Sequence, residues 1–366
     1  MRRHNDPPEV RRSRFVPLLA LALLFLLSAA AQAQPFGSWL TFAGPTSGYV
    51  RVPTSSALNP STAITIEAWV NVTDPGGGCS SIIGKNWTQA WWVGICNTTL
   101  RSYIRGYDSS GTAVPVRTYR DAGVIPHGEW THIAVTFDGT TRRHYINGEL
   151  VGSWSEPGAL TATSDELRIG SDSNYAHTPN GGIDEVRLWN YARTQDQLRA
   201  SINGLTGSTS GLIALWGFNG NANDPAGGHN GTITGSGVNY FTFAAILNCG
   251  ASGPTSLCLD NRFLVTAKYR AGAPGTAEGT ANTASCANPG SGLFWFFSSD
   301  NWELMVKTID ACALNDRFWV FSAATTNVFY RLEVFDVRAG VNKIYFNYPG
   351  PPAPAVTDTN AFATCP

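Results

Sequence analysis

Charge is scarce in this chain: only 14% of its residues are Asp, Glu, Lys or Arg. There is no basic excess either, since 25 Lys and Arg stand against 26 Asp and Glu. Nucleic acid is therefore not an implied partner, because a phosphate backbone calls for a basic stripe. No Gly-x-Ser-x-Gly elbow occurs, which removes one common way of presenting a nucleophile. The stretch GGGCSSIIGKN is not a phosphate loop: Cys79 stands where the first Gly is needed, and Asn86 follows Lys85 where Ser or Thr is needed. Six histidines, at 4, 127, 132, 144, 177 and 229, lack zinc-like spacing. His132, inside the apolar run WTHIAV, reads as structural.

Long apolar runs are also absent, with one exception. After the arginine-rich MRRHNDPPEVRRSR comes FVPLLALALLFLLSAAAQA, and Ala31-Gln32-Ala33 fits the small-x-small pattern of a secretory cleavage site. The mature chain is expected to begin at Gln34, with no membrane span after cleavage and a secreted or cell-surface location. Residues 1–33 hold five Arg, one Asp and one Glu, so the remainder has 20 basic and 24 acidic residues and a net charge of −4. Its 333 residues exceed one typical domain.

Trp, Tyr, Phe, Gly and Thr are abundant, as in exported all-β domains. From Phe36 to about Ala245 short apolar segments alternate with Gly, Pro, Asn and Asp: SWLTF, GYVRV, ITIEAWVNV, AWWVGIC, LRSYIRGY, WTHIAVTF, RRHYI, ELRIG, IDEVRLW and LIALWGF. This spacing predicts an antiparallel sandwich. One short helix is predicted to open at Thr194, where Gln197 three residues on completes a capping box. SWLTFAG near the start is echoed by NYFTFAA near Tyr240, and the second copy is expected to form an edge strand of the same sandwich.

Seven Cys in an exported chain read as disulfides with one thiol left over. Cys79 and Cys96 are the two in the first half, and their spacing fits neighbouring strands. The connectivity of Cys249, Cys258, Cys286, Cys312 and Cys365 stays open, with Cys286, in a loop of small residues, the candidate for the odd one. A linker is expected at 246–257, and 258–366 then forms a second, smaller β-domain. Within it CLDNRFLV, from Cys258, is repeated as CALNDRFWV, from Cys312.

FAGPTSGYVRVP, ITIEAWV, GEWTHIAVTFDG, YINGELVG, LRIG and GGIDEVRLWNYARTQDQL, in that order, resemble the laminin G-like jellyroll of the concanavalin A-like lectin and glucanase group. The resemblance covers about residues 36–200 and sets the sandwich at 34–245. It implies an all-β, two-sheet jellyroll, most often a noncatalytic extracellular module for binding or adhesion. The C-terminal part resembles a module of secreted bacterial proteins and carries no implied function.

Members of the wider group that cleave β-glucans carry acids alternating along one strand, so that two carboxylates face one cleft. Here Asp184 and Glu185 are adjacent, and strand alternation puts them on opposite faces. Glu185 then falls beside Arg187 as a surface ion pair, while Asp184 falls with Val186 and Leu188. Related sandwiches bind a structural Ca2+ near this position, which makes Asp184 a candidate ligand. However, Phe42-Ala43-Gly44 stands where such domains usually read Phe-Asp-Gly, so a second acid is missing. The other reading has Asp184 capping backbone N–H groups. No further cofactor is implied.

A hairpin carries the best candidate surface. With Asn97-Thr98 as a two-residue turn, Trp91, Val93, Ile95, Leu100 and Ile104 share a core face. The opposite face gathers Trp92, Arg101, Tyr103, Arg105 and Tyr107, a stripe of rings and guanidinium groups suited to stacking on sugars, unless loops or the second domain cover it. The expected partner is a glycan or a cell-surface protein. Two other readings are a glycoside hydrolase with its acids on an unrecognised strand, and a structural component of a cell envelope or matrix.

Overall fold

The computed structural model describes residues 37–73, 78–107, 113–114, 119–172, 177–205, 209–284, 288–350 and 353–366, without the side chains of 106–107 and 113–114. The apolar leader and Cys286 lie outside the described residues, as does the side chain of Tyr107. No helix among the described residues is long and apolar enough to cross a membrane.

The alternating segments form two antiparallel sheets. The eight-stranded sheet runs Glu149–Ser155, Thr141–Ile146, Thr131–Phe137, Ile64–Val72, Asn180–Trp189, Ser38–Ala43, Val238–Thr242, with Leu212–Trp216 also paired to Asn180–Trp189. The seven-stranded sheet runs Thr232–Thr234, Tyr49–Val52, Leu167–Ile169, Cys79–Lys85, Trp91–Cys96, Thr99–Ile104, Arg120–Val124. Between them lies one apolar core: Ile64, Ile66, Ala68, Val70 and Val72 alternate inward from one sheet, Trp91, Val93 and Ile95 from the other. The echo segment is an edge strand, with Trp39 opposite Phe241. Gln195–Ala200 is the short helix, opened by Thr194 and Gln197 in a complete capping box.

A second sandwich follows. One sheet runs Ser256–Leu259, Phe263–Arg270, Phe329–Asp336, Val341–Asn347, and the other Asn282–Thr283, Ser291–Trp295, Leu304–Asp310, Phe318–Ala324, Val356–Phe362. The repeat seen in the sequence opens one central strand in each sheet, and its two aromatics, Phe263 and Phe318, meet edge-on at 5.3 Å in a separate core. Asp260, Asn261 and Asp316 take positive φ in the turns just before those strands, a conformation that Asn and Asp tolerate well. Cys79 pairs with Cys96, Cys249 with Cys258, and Cys312 with Cys365.

The sandwiches pack closely within one compact unit. The sheet containing Phe263–Arg270 lays its outer face against the outer face of the eight-stranded sheet. Trp69, Ile202 and Ile344 form a small apolar cluster there, and Tyr348 donates to the Asn147 carbonyl. Arg331, 2% exposed, contacts carboxylates of Glu129, Glu278 and Glu333 and donates to the Trp130 carbonyl. Lys268 adds a second ion pair to Glu129.

This packing and a bulge correct the face assignments along Asn180–Trp189. Asp184 lies opposite Trp69 and Arg187 opposite Glu67, so one extra residue is accommodated between them. Glu185 absorbs it with a φ of 49°. Alternation therefore restarts: Ile183, Val186 and Leu188 join the core, while Asp184 moves to the outer face with Trp69 and Glu67. The ion pair of Glu185 with Arg187 is present but not at the surface, since Glu185 and Arg187 are each 1% exposed.

Candidate functional site

The predicted register of the hairpin is the one found. Trp91 faces Ile104, Trp92 faces Tyr103, Ile95 faces Leu100 and Cys96 faces Thr99. Asn97 takes a φ of 55° in the turn. Trp91 lies in the core, and Trp92, Arg101 and Tyr103 point to the opposite side of the sheet.

Exposure differs from expectation at Trp92, which is 4% exposed. Its indole lies across its own sheet because Gly84 and Gly94 offer no side chain: a Cβ at Gly94 would come within 2.3 Å of the ring. Its N–H donates to the Ser81 hydroxyl at 2.9 Å. Trp92 is thus a floor to the stripe and not an open platform. Above it Tyr103 meets Trp92, Trp87 and Tyr119 edge-on, at 5.7, 5.6 and 6.1 Å. Tyr119 is 50% exposed and takes the Arg101 guanidinium over its ring at 3.9 Å. Asp121 accepts both arms of that guanidinium, at 2.7 and 2.6 Å. Arg105 sits at the end of the strand, half-buried, its backbone tied to Ala90 and Thr161.

Trp87, Tyr119 and Asp121 are additions that sequence reasoning missed. Asp121 lies on the edge strand Arg120–Val124, which pairs with the hairpin so that Asp121 lies opposite Arg101, and Tyr119 immediately precedes that strand. Its sequence, RDAGV, has no apolar alternation, because an edge strand half open to solvent has no second face to bury. The available signal was RTYRD beside a strand carrying Arg and Tyr at alternate positions.

The acids of the opposite sheet form a different kind of cluster. Glu67 accepts from Trp189 Nε1 and from Arg193, both at 2.6 Å, and from His132 Nε2 at 3.2 Å. Burial alone would raise its pKa, but the His132 bond and the charges of Arg187 and Arg193 outweigh it, and the carboxyl is held down to about 2. Burial pushes His132 the other way, below its usual range and towards the neutral ring. Asp184 is fully buried and accepts from the Glu185 backbone N–H at 2.8 Å. Two adjacent acids with no solvent path and an arginine partner cannot take a sugar between them.

Glu67 and Glu185 are already neutralised by guanidinium groups, and no three potential ligands among the described His, Cys, Asp and Glu residues converge. A second buried polar knot sits inside the sandwich, where Ser102 Oγ meets His144 Nε2 at 2.7 Å and Arg142 donates to the Ser102 carbonyl. Burial and the Arg142 charge push His144 down to about 3. Ser102 and His144 are each 0% exposed, so the pair is a structural link between the sheets.

Residues 44–199 match the model of a laminin G-type domain of the concanavalin A-like lectin/glucanases superfamily, and that segment is a domain of this superfamily. Mouse pappalysin-1 is 34% identical over 76 residues, which are 19% of this chain and 5% of that protein. Among solved structures, a candidate carbohydrate-binding protein from Bacteroides ovatus aligns over 58% of this chain and 61% of its own, at 20% identity and a TM-score of 0.47. The CBM40 module of a Ruminococcus gnavus sialidase, solved with α2,3-sialyllactose, aligns over 45% of this chain and 97% of its own, at 16% identity and a TM-score of 0.35.

Proposed function

We propose that this chain is an extracytoplasmic, noncatalytic binding protein whose laminin G-type sandwich recognises glycan on the outer face of the seven-stranded sheet. The observation that carries this reading is the half-exposed Tyr119, backed by Tyr103 and Trp87 and held by Arg101. A ring fixed by neighbours loses little freedom when a sugar stacks on it. Because Asp121 occupies both arms of Arg101, the patch is close to neutral there. Neutral sugars fit this surface better than the acidic glycans that two free arginines would favour. The sandwich acids Asp184, Glu185 and Glu67 act as internal ties, which argues against their use in glycoside cleavage.

A glycan array on the purified chain tests the reading, with Tyr119→Ala as the control. Neutral glycans retained by the parent chain and lost by the variant are the expected result. A reducing-sugar assay on the same ligands separates binding from hydrolysis, and release of reducing ends would overturn the noncatalytic part. An array with no ligand would leave a role as a structural component of an envelope or matrix.

A further inference from the structure

At one edge of the contact between the two sandwiches lies a cavity of about 280 Å3, lined by Trp39, Trp130, Phe243, Phe335, Glu333 and Asn342 together with Leu264 and Thr266. Trp39 and Trp130 meet edge-on at 5.5 Å, and Trp39 is stacked on Phe241 at 4.2 Å. Both indoles rest over Gly182, where a Cβ would come within 2.8 Å of Trp130 and 3.0 Å of Trp39. Gly182, the second glycine of the GGIDEV motif, therefore has a local reason: it lets two large rings form a corner on the outer face of the sheet. Across the cavity Phe243 and Phe335 meet at 4.8 Å.

The polar groups are few. Glu333 presents a carboxylate, one oxygen of which pairs with Arg331 at 2.9 Å. Asn342 is 7% exposed, and its buried side-chain oxygen has no hydrogen-bond partner. A buried amide oxygen left without a donor is costly, so an aromatic-walled cavity holding one is poised for a molecule that brings hydroxyl donors. Arg331 pairs with Glu333 but is shared with Glu129 and Glu278, so the polar edge of the cavity offers acceptors and no positive charge. No cationic side chain lines the cavity to attract an anion.

We infer that this cavity is a second ligand site, distinct from the hairpin face, and that it takes one neutral pyranose ring. The C–H face of the ring packs into the Trp39–Trp130 corner, and its hydroxyls donate to Asn342 Oδ1 and the Glu333 carboxylate. The volume suits a single ring and not a longer chain. The site requires both sandwiches, since Trp39 and Trp130 come from the first and Glu333, Phe335 and Asn342 from the second. This assigns the C-terminal sandwich a share in recognition. The inference stands on the cavity itself and does not need the hairpin reading to hold.

The test is fluorine NMR on the full chain carrying 5-fluorotryptophan, with the Trp39 and Trp130 signals among the 12 tryptophans assigned through single Trp→Phe variants. Glucose, galactose, mannose and N-acetylglucosamine serve as probes. At least one should shift both signals with a Kd on the order of 1 mM, and Asn342→Ala should weaken that response by about tenfold. Trp39→Ala, checked for an unchanged melting temperature, should abolish the response at Trp130. Tyr119→Ala should leave it intact. The inference is overturned if no probe moves either signal, if the response survives both Asn342→Ala and Trp39→Ala, or if it disappears in Tyr119→Ala. Loss of array binding in Tyr119→Ala with the fluorine response intact would uphold both sites. Failure of either measurement alone condemns only its own site.

Discussion

Glu185 Oε2 accepts a hydrogen bond from Arg187 at 2.7 Å inside the protein, and the residue that starts the pair is the bulged one, with a φ of 49°. Arg187 also donates to the Ser201 carbonyl and lies 3.9 Å from Glu67. A pair that ordinary strand alternation would leave at the surface is instead the centre of a buried network linking the eight-stranded sheet to the segment after the short helix.

Removing one partner from such a pair leaves a buried charge uncompensated. Glu185→Ala is expected to cost about 3 kcal/mol, at least as much as Asp184→Ala, where Asp184 accepts the Glu185 backbone N–H. Urea denaturation of the two variants checks this, and a Glu185→Ala loss well under 1 kcal/mol would contradict the buried network. Excess EDTA should leave the melting temperature of the parent chain unchanged. A clear drop would restore Asp184 as a cation ligand.

Trp91 and Trp92 should both be intolerant of truncation, for different reasons. Trp91→Ala opens the sandwich core, whereas Trp92→Ala strips the floor beneath Tyr103 and frees the Ser81 hydroxyl, so each should cost about 3 kcal/mol or more. Tyr119→Ala should change stability by about 0.5 kcal/mol or less and weaken glycan binding by about fivefold or more. Thermal melts together with titration of an array-selected glycan separate these effects. A stable Trp92→Ala that loses binding would return the site to the stripe first expected.

Acidification should unfold the protein in a defined window. His144, held at about 3, stays neutral in the fold while the unfolded chain protonates near the ordinary histidine value of 6.5, so the unfolded state binds more protons between those limits. Its contribution is fully present above 6.5 and is lost as pH falls towards 3. Glu67, held at about 2 against an ordinary value of 4.5, adds a loss of the same sign below 4.5. Melting temperature should therefore be flat above about pH 7 and fall progressively below it. His144→Gln should flatten the part between pH 6.5 and 4.5 specifically, and a profile unchanged by that variant would rule His144 out as its source.

The three disulfides should differ in worth by the length of chain each closes. Cys312–Cys365, with a sequence separation of 53, should contribute about 4 kcal/mol, against about 3 for Cys79–Cys96, separated by 17, and slightly less for Cys249–Cys258, separated by 9. Paired Cys→Ala variants measured by chemical denaturation give the ranking. Nonreducing peptide mapping checks the pairings first, and an alkylatable Cys79 or Cys96 in the unreduced protein would refute the first of them.

The sequence by itself determined what short-range rules govern. Alternation in ITIEAWVNV and AWWVGIC set the core face of each strand, the Asn97-Thr98 turn set the hairpin register, and Thr194 with Gln197 set the start of the helix. Cys79 and Cys96 had only each other in their half of the chain, and the echo around Tyr240 matched the strand it pairs with. Only the tertiary structure decided the rest. One bulged residue takes Asp184 off the face it would share with Val186 and Leu188, and no local pattern marks it, because the cost of positive φ at Glu185 is offset by contacts with Arg187 and through it Ser201. The burial of Trp92 depends on two glycines, one on its own strand and one on the neighbouring strand, and the exposed member of the site immediately precedes an edge strand with no apolar signal. The junction cavity exists only because two separately patterned sandwiches share a face. That is a contact between distant segments, and the period of neither sequence encodes it.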